Sequence, residues 1–403
     1  LDKTQAALNF DPRDTSLFAG EQREETFSRL RECDRLAVDD TRAVPMYSLV
    51  KYADVERAYK EADVFSPCAG LTLDAFDPAG CDSPSRMMEM AAPDLHHELK
   101  GAMQAAFRGD GLARVKSAME GQLDRFLTVT AGGEAVEFVG AFSRDAATTT
   151  MLGLLGVPVG EAERLTPALE AIGTIDFGES PRSQAVRQRM EFRLLRELTR
   201  TVRARRAEGG SDGVIGLLLA AELEGGSASD QEIALNAFNV AVAGTGAVQH
   251  VLAAAAAVWA DHPDGLTEAA ADPKAARRFV DETLRWLTPV THLTRILTRD
   301  VEIRGEELAK GSGAILWNIS ANRDEEVFEN AAAFDPGRPL GRSLAFGAGP
   351  QYCIGAEVAR VQLGVLLAGL GRHGVRLELL GPPAWMASNA ITGVEQLPLR
   401  VRR

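Results

Sequence analysis

The segment Phe346-Gly347-Ala348-Gly349-Pro350-Gln351-Tyr352-Cys353-Ile354-Gly355 holds the sharpest chemistry in the chain. A glycine-rich bend delivers a cysteine to the start of an apolar helical pattern. A helix start offers free N–H groups and the positive end of a dipole, and both favour a thiolate. Glycines let backbone run close to a flat ligand where a Cβ would collide. A soft thiolate in that setting suits haem iron. Taken alone, the bend is equally consistent with a buried cysteine that serves as a small hydrophobe.

Other segments decide between the two. Glu282-Thr283-Leu284-Arg285 places an acid and a base three residues apart, on one helix face, where they can pair. Asn322-Arg323-Asp324 with Phe328, and Phe334-Asp335-Pro336 with Arg338, follow before the cysteine bend. With these in hand, the sequence resembles the cytochrome P-450 family of haem-thiolate oxidoreductases. The cysteine bend matches that family's signature at Phe346, Gly347, Gly349, Cys353 and Gly355, and Glu282 with Arg285 matches its Glu-x-x-Arg pair. The likeness runs from about residue 30 to the end.

The resemblance implies a mainly α fold with a minor sheet and a long central helix over haem b, with Cys353 as axial ligand and sole metal ligand. It implies that His96, Lys100 and Arg295 hold the haem propionates. Pro93 and Phe107 frame the first two of these. Lys100 replaces the family's usual Arg, which keeps the charge and loses the fork. Gln351 stands where the family has His or Arg, so a propionate contact weakens there. Substrate is expected to meet the loop 67–90, the central-helix residues Asn239, Ala243 and Ala247, then Val290, His292 and Leu293, and the turn 390–392 with Ile391. The implied activity is monooxygenation of a small organic, secondary-metabolite-like molecule, with electrons from a ferredoxin and its reductase.

One departure matters. The family's central helix usually carries Ala/Gly-Gly-x-acid-Thr, whose acid and alcohol move protons to the reacting oxygen. Here it reads Ala243-Gly244-Thr245-Gly246-Ala247, with Gly246 in place of the acid and Ala247 in place of the alcohol. Either the substrate and ordered water replace them, or Thr245 or Gln249 supplies protons, or peroxide replaces dioxygen. The remaining option is chemistry that needs no such relay, such as coupling, dehydration, rearrangement or nitrogen-oxide reactions. A non-catalytic haem-bearing recruitment module is a further alternative.

Composition narrows the field. The chain has 403 residues, is 45% hydrophobic, and has a net charge of −13, with 57 acidic against 44 basic side chains. That balance opposes a nucleic-acid partner. Docking an acidic ferredoxin then demands that Lys100, Arg338, Arg342 and Arg360 gather on the Cys353 side. Length alone suggests several domains; because the motifs converge on one cofactor, a single domain over 1–403 is expected. Of the four cysteines, Cys33, Cys68 and Cys81 read as background, and a reducing cytoplasm as the compartment. The chain begins at Leu1 rather than Met, so a trimmed residue or short segment is expected before it, with no signal peptide. Val240 to Ala260 is the one membrane-like window, but its polar interruptions predict a buried helix rather than a span.

The elements that must position these groups follow from periodicity. Helices are predicted over 97–107, 112–131, 142–155, 160–172 and 183–208. Ser229-Asp230-Gln231-Glu232 is a capping box, opening a long helix to about Asp261. Asp272-Pro273 opens the next. Strands are expected at 45–50, 294–303, 314–319, 375–379 and 396–401, and a helix between Cys353 and Gly371.

Overall fold

The computed structural model describes residues 10–18, 22–83, 85–174, 181–210, 212–339 and 341–402. Among them helices dominate. Short strands gather into one five-stranded sheet and several smaller ones that do not alternate with the helices. This is the mainly α architecture expected from the sequence.

The helix Asp230–Ala260 runs through the centre. Its capping box is present: the Glu232 N–H donates to Ser229 Oγ at 3.2 Å, and the Ser229 N–H donates to Glu232 Oε2 at 2.8 Å. A cap of this kind contributes about 1 kcal/mol. By length and apolarity this helix could cross a membrane, but 67% of its most apolar stretch is buried inside the protein. A helix apolar on nearly every side belongs in a core. The helix Arg144–Leu155 packs on it, and the helices Gly109–Val129 and Ala356–Arg372 pack on each other beside it. The helix Pro273–Leu287 starts as predicted, with Asp272 Oδ2 accepting the Ala275 N–H at 2.9 Å.

The main sheet runs in the order Ala37–Asp39, Met46–Leu49, Gly313–Leu316, Leu293–Leu297, Phe65–Ser66. The second and third strands are parallel and the other pairs antiparallel. This sheet seats Arg295 opposite Ala314.

Several expectations need correction. The strand expected over 314–319 stops at Leu316, and Asn318–Ala321 is a short helix. Asn318 is drawn aside by its hydrogen bonds, accepting from the Tyr59 hydroxyl at 2.8 Å and donating to Val290 O at 3.2 Å. The run 294–303 splits into Leu293–Leu297 and Val301–Ile303, which belong to different sheets. The helix predicted from 142 opens instead with a wider turn, Val139–Ser143. Three helices, Gln22–Glu32, Gly213–Ala220 and Pro263–Ala271, escaped periodicity: the second is apolar throughout, and the last two are under ten residues long.

The cysteines are also corrected. Cys68 and Cys81 form a disulfide, with their Cα atoms 4.9 Å apart. The loop doubles back between them, where the Asp77 N–H donates to Ala69 O at 2.7 Å. Gly70 makes that fold possible, since at φ +116° a Cβ would sit 2.3 Å from Ala75 O. Cysteine usage therefore gives no argument for a reducing compartment.

Candidate active site

The cysteine bend is locked from several sides. The Cys353 N–H donates to Phe346 O at 3.0 Å, closing the loop. Gly347 and Gly349 take φ +69° and +65°, the left-handed region that favours glycine. They also lie against the helix Tyr52–Lys60: a Cβ on Gly349 would meet Tyr59 O at 2.9 Å. The Phe346 ring carries the Arg360 guanidinium 4.8 Å from its centroid. Lys100 Nζ donates to the carbonyls of Pro350 and Tyr352, both at 2.7 Å. The helix Ala356–Arg372 begins just beyond, with Gly355 as its cap.

An internal hollow lies beside this loop. Cys353 shows accessible surface, yet its thiol is enclosed, and burial pushes its pKa up to about 11 against the Gly355 N–H bond that lowers it. Its accessible surface therefore opens inward. The helix start does not by itself make a thiolate here; desolvation wins, and a bound metal ion would be needed to remove the proton. On the central helix, Ala243 is exposed and Gly246 and Ala247 half-exposed, in the middle of an otherwise buried element. A Cβ on Gly246 would meet nothing within 4 Å. Glu89 connects the two sides: its carboxyl hydrogen-bonds Asn239 on that helix, and its charge reaches the Cys353 thiol.

A buried polar network supports the loop from behind. Arg285 meets Glu282 in two parallel bonds, Nε to Oε2 and Nη2 to Oε1, each 2.8 Å. Arg285 also donates to the carbonyls of Asn322, Ala331 and Ala333 at 2.7–2.9 Å. Glu282 Oε1 further accepts from Arg338 Nε at 3.2 Å and from the Asp335 N–H at 2.8 Å. Asn322 extends the network, its Oδ1 accepting the Leu344 N–H at 2.7 Å two residues before Phe346.

Comparison with known proteins matches this arrangement. Residues 274–372 match the family model described as Cytochrome P450. The methyl-branched lipid omega-hydroxylase of Mycobacterium tuberculosis is 26% identical over 88% of this chain and 83% of its own. The 20-oxo-5-O-mycaminosyltylactone 23-monooxygenase of Streptomyces fradiae is 29% identical over 78% and 74%. Among solved structures, CYP108D1 from Novosphingobium aromaticivorans superposes with a TM-score of 0.83 at 25% identity, covering 100% of this chain and 98% of that one. P450 OxyD, involved in vancomycin-type antibiotic biosynthesis, gives 0.85 at 23%, covering 97% and 99%. The chain belongs to the cytochrome P450 family. It is an oxidoreductase of the monooxygenase type, and the family's cofactor is haem held by a cysteine thiolate.

The hollow of this P450 fits that group. A thiol faces it from one side, a helix stripe trimmed to Ala and Gly from the other, and cationic side chains lie nearby. Arg295 is 2% exposed, with Nη1 donating to Thr294 O at 2.7 Å and Nη2 to Gln351 Oε1 at 2.8 Å. The Tyr59 ring lies 5.6 Å from its guanidinium carbon. Burial lowers the Arg295 pKa, opposed by Tyr59 and Glu89. His96 lies between two carbonyls, Met88 O at 2.8 Å from Nδ1 and Pro350 O at 3.3 Å from Nε2. Burial holds its pKa below the ordinary range. In this structure, then, His96 and Lys100 both brace the cysteine bend.

The expected substrate segments converge in part. Val290 bridges Ile391, the Thr291 N–H donates to Ala390 O, and the Thr392 N–H donates to Pro289 O. Leu293 is half-buried at the start of its strand, next to Thr294, whose N–H reaches Leu71 O at 2.9 Å. Pro84, within the expected loop 67–90, lies outside the described residues. His292 does not join as a substrate contact. It is 1% exposed, Nδ1 donates to Asn389 O at 2.8 Å, Nε2 accepts the Leu73 N–H at 3.1 Å, and its ring packs on Trp317. Its partners use both nitrogens and fasten loop to turn. Thr245 is 1% exposed, off the Ala243–Ala247 stripe. Gln249 and His250 contact each other, and His250 Nδ1 reaches Val394 O at 3.2 Å, so both are taken up in packing.

Of the expected basic docking residues, Lys100 and Arg360 do reach the cysteine bend, at Tyr352 and Phe346, but several of the four are engaged by other groups. Arg338 is consumed by Glu282 and by the carbonyls of Glu329 and Asn330. Arg360 is held by Asp281 and Glu357. Arg342 is exposed, and Lys100 is turned onto backbone carbonyls. Paired cations offer a partner little net charge. Glu89 is the residue that sequence reasoning missed: an isolated acid in a Met-rich loop gives no periodic or spacing signal.

Proposed function

We propose that this P450 is a monooxygenase acting on a small organic molecule of the secondary-metabolite kind, using dioxygen and electrons from a ferredoxin and its reductase. The hollow shared by Cys353 and the Ala243–Ala247 stripe is the observation that carries the reading. Cys353 would be the axial and only metal ligand, with Phe346, Gly347 and Gly355 framing it. Arg295 would hold one propionate, with Gln351 as its neutral neighbour. His96 and Lys100 would turn from the carbonyls of Pro350 and Tyr352 toward the other. When bound, haem supplies the oxygen activation, and a thiolate ligand favours O–O cleavage.

The chain's own residues shape the rest. Asn239, Ala243 and Ala247 present one face of the central helix to substrate, while Val290, Leu293 and Ile391 close the apolar wall. The relatives named as a methyl-branched lipid omega-hydroxylase, a steroid C26-monooxygenase and a 20-oxo-5-O-mycaminosyltylactone 23-monooxygenase support oxygen insertion as the reaction class. Gly246 and Ala247 favour a second reading in which the oxidant is peroxide or the product is not an oxygenated one.

Purified protein reduced under carbon monoxide should show the red-shifted band of thiolate ligation, and Cys353→His should abolish it. Substrates would be found by the spin-state change they induce. If dioxygen with a reductase yields no oxygenated product while peroxide does, the second reading replaces the first.

A further inference from the structure

Gly246 and Ala247 have no side chain that can hold a proton, yet an enclosed acid stands at the near end of the same helix face. Glu89 lies on the short turn Met88–Met90. That turn is fastened to the central helix. Asn236 Oδ1 accepts the Met88 N–H at 2.8 Å, and Asn236 Nδ2 donates to Arg86 O at 2.9 Å. Arg86 itself pairs with Glu232. On the other side, Met88 O takes the His96 Nδ1 contact. Between these clamps, the Glu89 carboxyl hydrogen-bonds Asn239, three residues along from Asn236 and four before Ala243.

The surroundings decide its protonation. Its charge is felt by Arg295 and Cys353. Burial raises its pKa, against the lowering effects of Asn239 and Arg295. Arg295 is occupied by Thr294 O and Gln351, and Arg86 by Glu232. His96 is turned to Met88 and Pro350. Among the described residues, no cation makes a hydrogen bond to Glu89. Burial there favours the protonated carboxyl.

We propose that Glu89, positioned by Asn239, is the proton-holding acid of this cavity, in place of the acid absent at Gly246. Its O–H bond breaks, and the proton passes to water in the hollow and on to the reacting oxygen. The carboxylate left behind is held by the Asn239 N–H and regains its proton from solvent through the same water. The inference rests on the haem-thiolate reading but not on the choice between dioxygen and peroxide, because both oxidants need a proton donor for heterolytic O–O cleavage.

The test uses haem-loaded protein and two readouts. Infrared difference spectra between wild type and Glu89→Gln at neutral pH should contain one protonated-carboxyl band that belongs to the wild type. Peroxide-driven oxidation of guaiacol, which needs neither the native substrate nor a reductase, should lose kcat by about 10²-fold in Glu89→Gln, the usual size of a general-acid effect. Glu89→Asp should recover part of it. Asn239→Leu, which keeps the acid but frees it, should shift the infrared band and lower kcat. The proposal is overturned if the band is absent, if Glu89→Gln leaves kcat unchanged, or if it raises KM alone, which would make Glu89 a substrate contact. Loss of the red-shifted carbonyl band in the wild type would instead reject the haem-thiolate reading.

Discussion

Glu282 and Arg285 face each other across one helical turn in a two-bond pair, with side chains 4% and 3% exposed. The pair is structural. It ties the helix Pro273–Leu287 to the segment that leads into the cysteine bend, through Arg338, Asp335 and Asn322.

Removing one partner leaves the other charge buried and unpaired. Glu282→Gln should therefore destabilise the fold by about 3–5 kcal/mol, read as a lower urea midpoint. Haem content should fall with it, since the bend that presents Cys353 depends on this network. A surface pair would give less than about 1 kcal/mol, and that result would show the network to be unimportant.

Gly349 should tolerate no side chain. At φ +65°, against Tyr59 O, an alanine is both strained and crowded. Gly349→Ala should cost about 1–2 kcal/mol from the left-handed backbone alone, measured by denaturation, and should weaken haem retention.

Gly246 should behave oppositely. Its missing Cβ faces open space within a helix, so Gly246→Ala should stabilise by about 0.5–1 kcal/mol. The same room admits an acid. Gly246→Glu with Ala247→Thr should change the fraction of electrons that end in product, measured against released peroxide. Unchanged coupling would mean that a relay such as Glu89 already suffices.

His292 should make stability depend on pH. Burial lowers its pKa from 6.5 to about 4, opposed by the bond to Asn389 O. The folded state thus holds it neutral, while the unfolded state takes up a proton between those values. Stability is complete above about pH 6.5 and declines as pH falls toward about 4, by up to roughly 3 kcal/mol. His292→Asn should flatten that slope in urea titrations across the range. An equal slope in the variant would assign the effect to other groups.

Legibility in the sequence follows the range of the interaction. The cysteine bend, the Glu282–Arg285 spacing, the Ser229 cap and the central helix are local: neighbours within a few residues set helix faces, caps and left-handed glycines. Those features, and the family they belong to, could be read from the chain alone. So could the loss of the acid and alcohol at Gly246 and Ala247.

Tertiary structure decided what lies between distant segments. The Cys68–Cys81 bond depends on a loop doubling back at Gly70. The burial of His292 depends on residues 73 and 389 closing over it from opposite ends of the chain. Arg338 and Arg360 are quenched by acids on the helix Pro273–Leu287. Glu89 meets Asn239 only because Asn236 draws the Met88–Met90 turn onto the central helix. Such contacts arise where apolar faces stack and leave polar groups no other partner, and no local periodicity encodes which groups those will be.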